Sequence, residues 1–135
     1  MGLLFEKPTD RPIVIYQGGT FRLSDTLYSS DAPSTPLDLT DCSAIAEVWE
    51  SPDATAPLVR WNTDVGDTAI TSGAVLTLGG TAGTTLIEIS DEATALIERL
   101  NRPGFWYCTL TWPDGDTTWL YAGPVEVATK KERAP

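Results

Sequence analysis

The chain has 135 residues, 41% of them apolar, enough for the core of one domain but without the run of about 20 apolar residues that a membrane helix requires. Its 19 acidic and 9 basic residues leave a formal net charge of −10, a field that repels phosphate backbones and anionic lipid, so neither nucleic acid nor a membrane is an expected partner. Histidine is absent, and with it the commonest general base and metal ligand, so no enzyme activity is expected and no cofactor is assigned.

Residues 1–12 read as an arm, in which Leu3, Leu4 and Phe5 precede a polar stretch bracketed by Pro8 and Pro12. The start lacks the charged segment and apolar stretch of about 7 to 15 residues that mark a secretory signal, so folding in the cytoplasm is expected. Runs of β-branched and aromatic residues, separated by Gly, Pro, Asp and Ser, then predict eight strands over residues 13–16, 20–28, 43–50, 57–62, 75–78, 84–89, 105–112 and 117–127. Gly18-Gly19 divides the first two and marks a bend at which the chain changes partners. Along 20–28, Phe21, Leu23 and Leu27 share one face, which Asp25 interrupts. Residues 51–56 return strand 43–50 onto 57–62, and Gly79-Gly80-Thr81-Ala82-Gly83 joins the next pair.

Ala93, Leu96, Ile97 and Leu100 fall at i, i+3, i+4 and i+7 after Ser90-Asp91-Glu92, predicting a helix over about 91–100 that crosses one end of the domain. In 105–112, Trp106, Cys108, Leu110 and Trp112 oppose Phe105, Tyr107, Thr109 and Thr111, the pattern of a central strand covered on one side and in part on the other. Pro113-Asp114-Gly115 specifies a tight hairpin between Trp112 and Thr117. Residues 129–135 form a charged tail containing Lys130, Lys131 and Arg133. The expected architecture is all-β: an immunoglobulin-like antiparallel sandwich of about seven to eight strands spanning 13–128, with one short helix. Residues 13–128 hold 4 basic and 16 acidic side chains, whereas the terminal segments hold 5 and 3, so slightly basic ends flank an acidic body; the functional reading is a terminal arm steered toward an acidic neighbour such as another copy of that body, and the plain one is acidity that keeps the domain in solution.

Candidate chemistry is sparse. Cys42 and Cys108 make no CxxC motif, and their separation is similar to that of the inter-sheet pair of immunoglobulin sandwiches, although a reducing compartment favours free thiols. Asp64 with Asp67, and Asp114 with Asp116, have the composition of a carboxylate pair or an oxygen-rich calcium loop, but loop aspartates more often cap turns. Of the five tryptophans, Trp106 and Trp112 are expected in the core, while Trp49 and Trp61 are candidates for cross-strand neighbours on an outer, interacting face.

Four phrases carry a resemblance: residues 13–21 (IVIYQGGTF), residues 36–44 (PLDLTDCSA), residues 103–107 (PGFWY) and residues 123–127 (GPVEV). Together they resemble small β-sandwich virion proteins of tailed bacteriophages, over roughly residues 13 to 127, with Asp41 standing where that group usually has glycine. The resemblance implies a non-enzymatic structural protein of the virion, a minor tail or baseplate/neck component assembled in the host cytoplasm, with other virion proteins and copies of itself as partners. Leu3, Leu4, Phe5, Trp49, Trp61, Lys130, Lys131 and Arg133 are the expected protein-contacting residues. The alternatives are a capsid accessory protein, or a glycan- or receptor-binding module using exposed Trp and Asp.

Overall fold

The structure, a computed structural model, describes residues 9–28 and 35–129. Its strands are β1 (Thr9–Asp10), β2 (Ile13–Tyr16), β3 (Phe21–Thr26), β4 (Ser43–Trp49), β5 (Val59–Asn62), β6 (Ala74–Leu78), β7 (Thr84–Ile89), β8 (Gly104–Thr111) and β9 (Thr117–Ala128). One sheet has six strands in the order β1-β9-β8-β4-β5, with β2 also on β9, and the second has three in the order β3-β7-β6. The two sheets pack as an all-β sandwich, with β9-β8-β4-β5 in one layer and β3-β7-β6 in the other. All eight predicted strands form, and Gly18-Gly19 is the point where the chain leaves β9 for β7.

The first strand begins earlier than the sequence suggests. Thr9 pairs with Tyr121 and Ile13 with Val125, both parallel and with one offset, so β1 and β2 are a single strand interrupted at Pro12, which has no N–H to give. Arg11 donates its backbone N–H to Ala122 O at 2.9 Å and accepts the Trp106 indole N–H at 2.7 Å. Gly123 permits this approach, since a Cβ there would stand 2.7 Å from Arg11 O. Residues 9–12, expected in the arm, therefore belong to the sandwich. Asp25, which interrupts the buried face of β3, is accounted for as well: it accepts from Tyr121 Oη at 3.1 Å and pairs with Arg11 at 3.2 Å, tying β3 to the opposite layer.

The core fills the gap between the layers with Trp61, Trp106, Ile15, Ile87, Leu110 and Leu120, all fully buried. Between Cys108 and Thr109 the β8–β9 register slips by one residue, and the bulge turns both Leu120 and Tyr121 inward, against the usual alternation. Tyr121 stacks on Trp106 with ring centroids 5.8 Å apart. The predicted hairpins join β4 to β5, β6 to β7 and β8 to β9; in the last, Gly115 at φ 96° donates its N–H to Trp112 O at 2.9 Å. Asp41 takes φ 65°, a left-handed position at which glycine would be unstrained.

The expected ten-residue helix is corrected to a single turn, α1 (Asp91–Thr94), capped by Ser90 Oγ accepting from Ala93 N at 3.2 Å. Beyond it, the Leu96 and Ile97 N–H groups bond to carbonyls three residues back, and Gln17 Nε2 captures Ile97 O at 2.6 Å. Thr94 Oγ1 is likewise engaged, donating to Gly19 O at 2.8 Å. A helix this short is not stable by itself, and the apolar stripe has too little to bury against: Ala93 and Ile97 are inside, but Leu96 is 85% exposed. The segment still packs across one end of the sandwich, on the β2–β3 turn.

Candidate interaction face

Side chains alternate across a strand, so the pairings define which residues share the outer surface of the six-stranded sheet. One row runs Pro124, Phe105, Trp49; the next runs Ala122, Tyr107, Glu47, Arg60; the third runs Trp119, Thr109, Ile45, Asn62. Val14 and Tyr16 extend the surface along β2. Among the described residues, eight large apolar side chains are exposed, and four of them, Val14, Tyr16, Phe105 and Trp119, lie on this face. Only Val75 lies on the outer face of the other sheet, and the remaining three sit in loops. Phe105 is 37% and Trp119 48% exposed, and the Tyr107 and Trp119 rings meet at 5.0 Å.

A carboxylate organises the centre. Glu47 is buried on the outer side of β4, where Trp49 donates its indole N–H to Oε1 at 3.0 Å and both Tyr107 Oη and Arg60 donate to the same carboxylate. Arg60 also pairs with Asp67 at 2.8 Å, and Asn62 Nδ2 donates to that same oxygen at 2.8 Å. Burial pushes the Tyr107 phenol up to about 12, reinforced by its bond to Glu47. Asn62, the Ala69 N–H and Arg60 together hold Asp67 down to about 2. For Arg60, burial works against the charge, but the bonds to Asp67 and Glu47 outweigh it and its pKa is raised. The arrangement fixes two aromatic rings, Trp49 and Tyr107, to a buried carboxylate, and the one positive charge of Arg60 serves both Glu47 and Asp67. Exposed Glu126, opposite Val14, adds a further carboxylate to the same face.

Of the predicted contact residues, Trp49 is on this face, half-buried. Trp61 is not: it is 0% exposed, on the inner side of β5, and donates its indole N–H across the sandwich to Glu88 O at 2.9 Å. Nor are the two tryptophans cross-strand neighbours, because the hairpin register sets Trp61 opposite Ala46 and Val48 opposite Val59. Leu3, Leu4, Phe5, Lys130, Lys131 and Arg133 lie outside the described residues. Trp106 and Trp112 are buried as expected. Phe105, Tyr107, Trp119, Glu47 and Arg60 were not singled out, although the non-core side of 105–112 already carried the signal in Phe105 and Tyr107.

The remaining candidates resolve into structural roles. Cys42 and Cys108 are free: Cys42 lies in the turn that leads into β4, and Cys108 is in β8 opposite Ala46, pushed up to about 12 by burial. Asp64 accepts from Gly66 N and Asp67 from Ala69 N, each at 2.9 Å, while Asp114 accepts from Asp116 N at 2.9 Å, so these carboxylates cap turns. Among the described residues no group of three His, Cys, Asp or Glu could hold a metal, and no helix is long and apolar enough to cross a membrane. A recess of about 590 Å³ beside β3 is lined chiefly by the hydroxyls of Ser24, Thr26, Thr84 and Thr85, with Asp25 already bonded to Tyr121 and Arg11. Neither a family model nor a curated protein matches the chain.

Proposed function

We propose that this protein is a non-enzymatic assembly subunit that works by protein contact through the outer face of its six-stranded sheet, and that its setting is the virion of a tailed bacteriophage. The observation that carries the contact reading is the concentration of exposed aromatic and aliphatic side chains on that one face, around a buried ion pair. Aromatic, rigid surface is what protein interfaces select, because it loses little entropy. The virion setting rests on the sequence phrases, and two of them fall where the fold makes decisive turns: Gln17-Gly18-Gly19 at the change of sheet, and Leu39-Thr40-Asp41 at a left-handed turn into β4. A glycan-binding role is less well supported, since a sugar needs free hydrogen-bonding groups beside a ring and those around Tyr107 are spent on Glu47 and one another.

Detection of the chain in purified particles, and its loss from them in a Phe105→Lys/Trp119→Lys variant that still folds, is the expected result. Absence from particles ends the virion setting. Quenching of tryptophan emission by sugars, removed by Trp119→Ala, would replace the reading with a glycan-binding one.

A further inference from the structure

We propose that the partner of this face is a protein segment carrying arginine among apolar residues, its guanidinium groups seated between the aromatic rings of β8 and β9 and the carboxylates beside them; this rests on the contact reading above and names the chemistry of the occupant. Charge balance is the first argument. On and beside the outer side of the six-stranded sheet, the carboxylates of Asp10, Glu47, Asp67 and Glu126 stand against the single cation of Arg60, which Glu47 and Asp67 already share. Asp10 and Glu126 are exposed and meet no cation among the described residues. The outer face of the other sheet is balanced, with Arg22 on Glu88, and Val75 is its one exposed large apolar side chain. Unmet negative charge and exposed aromatic rings thus coincide on one sheet face only.

Register is the second. Asp10, Ala122 and Tyr107 follow one another across β1, β9 and β8 on a single row, so the carboxylate and the phenol spring from strands about 9.6 Å apart with only a methyl group between them. Glu126 stands opposite Val14 and two residues along β9 from Pro124, the partner of Phe105, which makes it a diagonal neighbour of that ring. Trp119, 48% exposed and in contact with Tyr107, continues the aromatic side of the arrangement along β9. Small residues of β9 therefore run between a row of rings on one side and two unpaired carboxylates on the other.

The chemistry of the cation is the third. A guanidinium is flat, lies against an aromatic ring and pairs its edge with a carboxylate at the same time, whereas an ammonium is a point charge that holds its water more firmly. Arginine side chains would supply the charge that Asp10 and Glu126 lack, and apolar neighbours in the segment would cover Val14 and Phe105. An acidic segment meets the opposite conditions, repelled by these carboxylates and by a body of net charge −10, which steers basic partners inward.

Titration calorimetry of the full chain with short synthetic peptides tests this directly. A peptide of interspersed arginine, leucine and serine should bind at micromolar concentration, its lysine counterpart severalfold more weakly, and its glutamate counterpart not at all. Affinity for the arginine peptide should fall severalfold as salt rises from about 20 to 150 mM, because the carboxylates it pairs with are exposed. Asp10→Asn/Glu126→Gln, both at exposed positions and checked for fold by circular dichroism, should weaken binding about tenfold, and Trp119→Ala should do the same. Glu92→Gln/Glu98→Gln, an equal change of charge at the end of the sandwich, should leave it unchanged. An arginine peptide that does not bind, binds no better than its glutamate counterpart, or is weakened equally by the two acid pairs overturns the proposal. So does self-association of the free chain that is abolished by removing residues 130–135, which would seat its own Lys130, Lys131 and Arg133 on the face. If incorporation into particles depends on Phe105 and Trp119 but not on Asp10 and Glu126, the basic partner is wrong and the contact reading stands; an arginine peptide that binds as expected to a chain absent from particles has the opposite meaning.

Discussion

The two outer surfaces of this sandwich carry the same kind of ion pair in different surroundings. On the three-stranded sheet, Arg22 and Glu88 meet at 2.6 Å with side chains 62% and 27% exposed, among Ser24, Thr26, Thr77 and Thr84. On the six-stranded sheet, Arg60 and Glu47 are 23% and 9% exposed, and the carboxylate also holds Trp49 and Tyr107. Hydroxyl groups are satisfied by water, so the first surface is finished as it stands. Aromatic rings are not, and the second surface uses its buried carboxylate to hold Trp49 and Tyr107 in place. A charge pair thus stands in water on one layer and holds two aromatic rings on the other, and local burial decides which.

The sharpest way to break the comparison is to test whether the inner and outer tryptophans differ as the burial says. Trp61→Ala should destabilise by about 3 to 5 kcal/mol in urea unfolding, through a cavity and the loss of its bond to the Glu88 carbonyl, whereas Trp119→Ala should cost about 1 kcal/mol or less. Equal losses would mean that the layers are misassigned. Next come the two ion pairs. Glu47→Ala strands Arg60, Trp49 and Tyr107 and should cost about 2 to 3 kcal/mol, discounted from a fully buried pair because Arg60 retains Asp67 and some water. Glu88→Ala, on the exposed pair, should cost less than about 1 kcal/mol.

Titration sharpens the contrast further. Tyr107 and Tyr121, one in the outer cluster and one facing the core, both hold their protons up to about 12, mainly through burial. The unfolded chain releases its phenolic protons near pH 10, so their stabilisation is complete below about pH 10 and is lost as pH rises toward 12. Tyr107→Phe should remove the outer share of that alkaline loss and leave the share of Tyr121, as followed by phenolate absorbance and circular dichroism. Asp67 has the opposite sign: held down to about 2, it stabilises above about pH 4 and loses that contribution as pH falls toward 2. In Asp67→Asn the acid branch of the stability curve should be flatter over that interval. The smallest expected effect is a gain. Asp41→Gly, at φ 65°, should stabilise by under about 1 kcal/mol, since glycine occupies that region freely and its loop lies away from both ion pairs.

Much of the fold was legible because strands and turns are written locally. Pro113-Asp114-Gly115 and Gly79 to Gly83 specify their own hairpins, and the two-residue alternation in 105–112 separated Trp106 and Cys108 from Phe105 and Tyr107. The candidate face was legible only in part. Trp49 was singled out and lies on it; Trp61 was singled out and does not, because assigning the pair needed the β4–β5 register, which depends on how residues 50–58 turn. Glu47 was silent, since a lone glutamate in a strand carries no mark of the three donors that reach it from β4, β5 and β8.

By itself the sequence determined that this chain makes an all-β sandwich, which segments are its strands and where it turns tightly, because backbone sterics and side-chain alternation act within a few residues. The tertiary structure alone decided which of each strand's two faces is covered, that the apolar stripe at 93–100 yields a single helical turn, that both cysteines stay free, and that β1 and β2 join β9 in parallel. Those outcomes depend on partners distant in the chain: an alternating strand has two faces of known composition, and only the layer packed against one of them makes it the inside.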